Sequence, residues 1–281
     1  MTEETKSIHF SEEIFIEKFF SHLNRQGPGS DRITRIAAEL LPVFEINAHL
    51  ADIQCGTGAQ TLVLQNTLRR HITAIDSRIT MISALQHTIN QDPLLTNNIS
   101  TLVGDPDNLP FPDNYLDLIW SENFIGPYGV DRILPLWNNW LRPGGYLVVS
   151  LCSFVRPDPP ADEYLNSRFC YMRQITENLT RFNELGYQPL AHIIQPDDCW
   201  TDNHYIPLLM KIQEISAAQR EDPIIKDFIE KRSREIQTYV KFKSYFRNVT
   251  YVLQKTACAA PPASAANNDT SDNDAPTDTQ A

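Results

Sequence analysis

Seven residues, Asp52-Ile53-Gln54-Cys55-Gly56-Thr57-Gly58, join an acidic side chain to two closely spaced glycines. An apolar run precedes them and a helix-forming run follows. Glycines let a backbone approach a ligand closely. An acidic residue closing the next strand can hold both hydroxyls of a ribose. His71-Ile72-Thr73-Ala74-Ile75-Asp76 supplies that acid, and Gly104-Asp105 stands where a third strand should end, before Leu109-Pro110-Phe111. The three pieces in this order imply a crevice for a nucleotide-bearing ligand.

Such a crevice needs a sheet to position it. Apolar runs predict strands near 48–53, 71–75, 99–103, 115–121 and 145–151, with helices near 58–69, 78–91 and 130–141 between them. This alternation implies parallel strands joined by helical crossovers, the α/β class. Ahead of it, Ser11-Glu12-Glu13 reads as a helix start. Ile14, Phe15, Phe19, Phe20 and Leu23 follow at helical spacing. Gly27-Pro28-Gly29 breaks that helix, and another is expected over 32–41. Beyond Leu151 the sequence predicts one long helix near 164–184, a strand at 189–194, a helical region with Ile225, Phe228, Ile229, Ile236, Tyr239 and Val240 on one face, and a final strand at 248–253.

The chain has 281 residues, 42% of them hydrophobic, enough for one domain with an insertion or for two small ones. Its 24 basic and 35 acidic residues give a net charge of −11 and form no basic track, which argues against nucleic-acid binding. Met1-Thr2-Glu3-Glu4 lacks the apolar core of a secretion signal, and no run approaches a membrane span. Five cysteines without CxxC spacing fit a reducing cytoplasm and argue against a zinc site. From 256 to 281 the composition has no Lys, Arg or aromatic residue after Lys255, and it includes Asp269, Asp272, Asp274 and Asp278. The expectation there is a disordered acidic tail.

Over about residues 10–255 these motifs resemble the class I S-adenosylmethionine-dependent methyltransferases. The segment from Asp52 to Gly58 is similar to that family's first-strand motif, and Asp76 to its second-strand acid. Gly104-Asp105-Pro106-Asp107-Asn108-Leu109-Pro110-Phe111, with Tyr115 to Glu122 behind it, resembles the adenine-lining segment of the ubiquinone/menaquinone-type branch. Leu141-Arg142-Pro143-Gly144-Gly145 looks like the turn before the fifth strand. Arg25-Gln26-Gly27-Pro28-Gly29-Ser30 and Cys199-Trp200-Thr201 are similar to a narrower, mostly uncharacterised bacterial group of small-molecule methyltransferases.

The resemblance implies a Rossmann-like seven-stranded, mostly parallel sheet with helices on both faces and the last strand antiparallel. Residues 1–255 would form one domain, with a helical cap from 1–45 and 195–245 on the substrate side. S-adenosyl-L-methionine would be held by Asp52, Gly56, Gly58, Asp76, Asp105 and Gln26, with Asp76 on the ribose and Asp105 on the adenine amino group. The methyl group would pass to an O, N or C nucleophile of a small molecule, and a homodimer is compatible with this. Trp200 and Tyr205 are the candidate substrate contacts, with packing the alternative. Glu122 is the first candidate base and His204 the second. Asp76 could instead cap the next helix, and Asp105 could serve only its turn.

Three positions depart from the family pattern. Gln54 replaces the first glycine, Pro106 removes a backbone donor, and Leu151 stands where relatives carry an acid. They motivate an alternative, a catalytically weakened protein of this fold that binds a ligand or partner without efficient turnover.

Overall fold

The computed structural model describes residues 3–168 and 171–256. Four parallel strands form first: β1 (Leu50–Ile53), β2 (Ile72–Asp76), β3 (Ile99–Val103) and β4 (Leu116–Glu122). β5 (Leu141–Phe154), the two-residue β6 (Arg173–Gln174), β7 (Tyr187–Ile194) and β8 (Phe246–Lys255) complete the sheet. Seven strands run in the order β3-β2-β1-β4-β5-β8-β7, and β6 pairs with β5. β8 is antiparallel to both neighbours, so the last strand lies inside the order and not at its edge.

Both sheet faces are covered, which explains the nearly continuous apolar runs. Leu147, Val149 and Leu151 of β5, with Val249, Tyr251 and Leu253 of β8, join a core beneath the helix Val130–Trp140 and the helix Ile175–Glu184. The intervening Val148 and Val252 join the opposite core with Trp120 and Leu64. Period-two alternation therefore decides which core each side chain enters. Each large apolar side chain buried this way contributes roughly 1.5–3 kcal/mol.

A third apolar cluster lies at the crevice end. There Phe19 and Phe20 of the first helix, Glu3–Phe20, meet Trp200, Tyr205 and Leu208, and also Phe228, Tyr239 and Phe242 of the helix Pro223–Phe242. Among the described residues no helix is long and apolar enough to cross a membrane.

Three expectations need correction. The helix expected over 164–184 is two helices, Glu163–Arg168 and Ile175–Glu184, with β6 before the second. Gln174 is extended (φ −64°, ψ 154°), and its N–H donates to Glu177 Oε2 at 2.7 Å, which starts a new helix. The first helix begins at Glu3, ahead of Ser11. The expected strand at 145–151 extends over 141–154 and takes in the Pro-Gly-Gly turn. The expected acidic tail lies outside the described residues from 257 onward.

Candidate functional site

The glycine-rich turn follows β1 and enters the helix Ala59–Leu68. Gly56 and Gly58 are left-handed (φ +57° and +88°), and so is Gln54 at +59°. For an L side chain this region costs about 1–2 kcal/mol. Gln54 Oε1 accepts a long bond from Ser77 Oγ at 3.5 Å. Its Nε2 is buried with no partner among the described residues.

Asp52 and Asp76 hold this turn from below. Asp52 is fully buried and accepts from Thr61 Oγ1 at 2.6 Å and Gln60 Nε2 at 3.3 Å. Burial pushes its carboxyl up to about 7. Asp76, also buried, accepts the Gly56 N–H on Oδ2 and the Arg78 N–H on Oδ1, both at 2.9 Å. A long ion pair from Arg78 Nε also reaches Oδ1 at 3.5 Å; two carboxylate oxygens offer about four acceptor sites, so capacity for a ligand remains. Gly104 N donates to the Asp76 carbonyl, so Asp105 follows at the same end of the sheet. Asp105 itself is exposed and accepts from Asp107 N at 3.1 Å, the bond of an Asx turn. The Pro106 carbonyl accepts from Trp137 Nε1 at 3.1 Å, which ties this turn to the core.

Above the glycines lies the turn 25–30. Gln26 Oε1 accepts the Thr57 N–H at 3.1 Å, while its Nε2 donates to the carbonyls of Phe20 and Leu23 and to Thr57 Oγ1. Gln26 therefore fastens the first helix to the glycine-rich turn. Gly29 N donates to the Cys199 carbonyl at 3.1 Å, bringing together two sequence strings 170 residues apart, 25–30 and 199–201.

Glu122, at the end of β4, has both oxygens engaged. Oε2 pairs with Arg25 at 3.1 Å, and Oε1 accepts from Thr34 Oγ1 at 2.8 Å and Trp120 Nε1 at 3.1 Å. Burial opposes the charge of Arg25, but Glu122 and Asp31 hold its pKa above the ordinary arginine value.

Two adjoining cavities result. One, of about 140 Å³, is walled by Gln54, Gly56, Asp76, Arg78, Glu122 and Phe124. The other, of about 150 Å³, is walled by Leu151, Tyr171, Trp200, His204 and Arg232. Gln26, Gly27 and Asn123 border both. His204 is buried, and desolvation followed by the charge of Arg232 lowers its pKa to about 4, so the ring is neutral at pH 7. Trp200 stacks on Tyr239 at 4.9 Å. Tyr205 packs behind Trp200 and lies outside the residues walling either cavity. Burial pushes its phenol far above the usual range.

Sequence reasoning missed Asn123, Asn248, Arg232 and Glu235. Asn123 is left-handed (φ +63°); it accepts from Asn248 Nδ2 and donates to the Pro28 carbonyl at 2.7 Å. The one available signal was an Asn directly after a strand, a residue type that tolerates this conformation. Arg232 and Glu235, three apart on a helix, look like an ordinary surface pair in sequence.

Residues 51–149 match a family described as a methyltransferase domain. Among proteins of curated function there is no match. A SAM-dependent methyltransferase from Geobacter sulfurreducens, solved with S-adenosyl-L-homocysteine, is 17% identical, with 84% of this chain and 96% of that one covered at a TM-score of 0.69. For another from Thiobacillus denitrificans, also with S-adenosyl-L-homocysteine, the values are 17%, 86%, 98% and 0.70. The [4+2]-cyclase SpnF is 18% identical over 81% of this chain and 82% of its own, at 0.65. The likeness at these identities is one of fold, and it agrees with the Rossmann-like sheet described above.

Proposed function

We propose that the chain is an S-adenosylmethionine-dependent methyltransferase acting on a small molecule, with cofactor and acceptor in the two adjoining cavities. The observation that carries this reading is their shared wall of Gln26, Gly27 and Asn123, directly above the left-handed glycines and Asp76. The residues fit the cofactor. Gly56 lines the first cavity with no side chain to fill it, while the Cβ positions of Gly56 and Gly58 are taken by Gln26 and Leu85, so internal packing fixes the glycines of this turn. Asp76 retains acceptor capacity for ribose hydroxyls, and Gln54 Nε2 brings an unpaired donor. Asp105 stands at the same strand end for the adenine, and Asp52 braces the turn from beneath.

Bound there, the cofactor would supply an electrophilic methyl group. The chain's own residues align the partners and exclude water, which is where most of the acceleration originates. Glu122 acts in this reading as a positioning residue that locks the turn 25–30 to β4. His204, neutral and weakly basic, is the remaining candidate base. The helices of 1–45 and 195–245 form the cap, whose apolar cluster supports Trp200. The string 104–111 supports the ubiquinone/menaquinone-type branch. The buried thiols of Cys55 and Cys199 support a cytoplasmic setting.

Calorimetry with S-adenosylhomocysteine and with NAD tests the reading: only the former should bind. Asp76→Ala should weaken binding by about 1.5–3 kcal/mol, the range for hydrogen bonds to a charged group. NAD binding, or unchanged affinity in the variant, would refute the assignment. The strained Gln54 favours a second reading, in which the cofactor binds but turnover is weak. A single-turnover assay on cofactor-loaded protein separates the two.

A further inference from the structure

The second cavity contains two donors that the proposed reaction leaves without a role. Trp200 Nε1 and Arg232 Nε are buried, with no hydrogen-bond partner among the described residues, and His204 Nδ1 beside them is unpaired as well. Trp200 and His204 are only 3% and 5% exposed, and both wall the cavity. An indole N–H and a guanidinium N–H can only donate. Burying such donors unpaired costs free energy, and a phenylalanine would pack against Tyr239 without that cost. The acceptors along the same wall are already engaged: Asn123 Oδ1 with Asn248, and Glu235 with Arg232 at 2.9 Å. The cavity is therefore rich in vacant donors.

Charge and size narrow the ligand further. The Arg232–Glu235 pair is close to neutral in sum and His204 adds no charge at neutral pH, so one anion can enter without meeting a net negative field. A cavity of about 150 Å³ is the size that accommodates a benzene ring. Tyr171 flanks it so closely against Gly126 that a Cβ there would overlap the phenol ring.

We infer that this cavity takes a ring-sized carboxylic acid as its anion, the carboxylate received by Trp200 Nε1–H and Arg232 Nε–H. The inference rests on the two-cavity reading above and names the recognition group of its acceptor.

Titration calorimetry on the intact protein, with and without S-adenosylhomocysteine, tests it using benzoate, cyclohexanecarboxylate, benzamide and benzylamine. Both carboxylates should bind at least about tenfold more tightly than benzamide, as a charge-assisted bond requires, and benzylamine should give no signal. Trp200→Phe and Arg232→Gln should each weaken benzoate binding about tenfold, with S-adenosylhomocysteine affinity kept. Arg232→Gln leaves the buried Glu235 without its ion pair, so Arg232→Lys, which keeps the charge and removes the Nε donor, is measured beside it and should weaken benzoate binding as well; circular dichroism melting checks that all variants are folded. Equal binding of benzamide or benzylamine, silence of both carboxylates, or wild-type benzoate affinity in Arg232→Gln would overturn the inference. Carboxylate binding without S-adenosylhomocysteine binding would refute the cofactor assignment alone.

Discussion

Gln26 Oε1 occupies the space that a Cβ on Gly56 would need, while accepting the N–H of the next residue, Thr57, at 3.1 Å. A glycine in the second position of the turn is thus required twice, by its φ of +57° and by the side chain above it. Gly56→Ala should lower stability by about 1–2 kcal/mol from backbone strain alone, with a further loss from the overlap. Gln26→Ala removes the overlap together with the bonds to Thr57, Phe20 and Leu23, so the cost of Gly56→Ala should be smaller in the Gln26→Ala background than in the wild type. Urea unfolding of the wild type, both single variants and the double variant closes this cycle, and an equal cost of Gly56→Ala in both backgrounds would contradict the contact.

Gln54 offers the opposite case. A left-handed glutamine pays a strain that glycine does not, so Gln54→Gly should be more stable than Gln54→Ala by about 1 kcal/mol. Chemical unfolding midpoints provide the comparison. If the glycine variant also gains cofactor affinity, strain in the wild-type turn is what weakens binding.

The Arg25–Glu122 pair makes a different prediction. Both side chains are 8% exposed and Glu122 has further bonds to Thr34 and Trp120. Glu122→Gln should cost about 1.5–3 kcal/mol, and a double-mutant cycle with Arg25→Gln should show coupling of similar size. A loss of two to four decades in kcat with unchanged unfolding would instead make Glu122 a general base.

Two buried groups should give opposing pH dependences. Asp52 titrates near 7 when folded and 3.8 when free, so the folded state holds the extra proton and its stability falls as pH rises through that window. His204 titrates near 4 when folded and 6.5 when free, so the unfolded state holds the extra proton and stability rises with pH from 4 to 6.5. Between pH 4.5 and 6 the two nearly cancel. Asp52→Asn should expose a rising slope and His204→Phe a falling one, each of about 1.4 kcal/mol per pH unit. Unfolding free energies across that range would show parallel, unaltered slopes if neither group is shifted.

The parallel strands and the glycine-rich turn were legible because each is written in contiguous residues: an apolar run, Asp52, Gly56, and then Asp76 closing the next run. The interruption at Gln174 was not, since Met172-Arg173-Gln174-Ile175 carries no proline or glycine and continues a helical pattern. Glu122 was visible as a carboxylate at a strand end, but its partners Arg25 and Thr34 come from a turn and helix about ninety residues earlier. Trp200 and His204 were picked out by type and neighbourhood. Arg232 was not, because only the docking of its helix turns an outer-face cation toward the cavity.

Gln26, Gly27 and Asn123 form a partition between the two cavities, and under the proposed function a partition facing two ligands would make each a modulator of the other. An occupant that shifts these hydrogen-bonded residues from one side would reshape the other side too, and by thermodynamic reciprocity the coupling would be equal in both directions. The same linkage works in reverse at the end of a cycle: departure of one molecule loosens the grip on its neighbour. In the two-cavity reading, heterotropic cooperativity is the expected consequence of a wall only three residues thick, one of them a glycine.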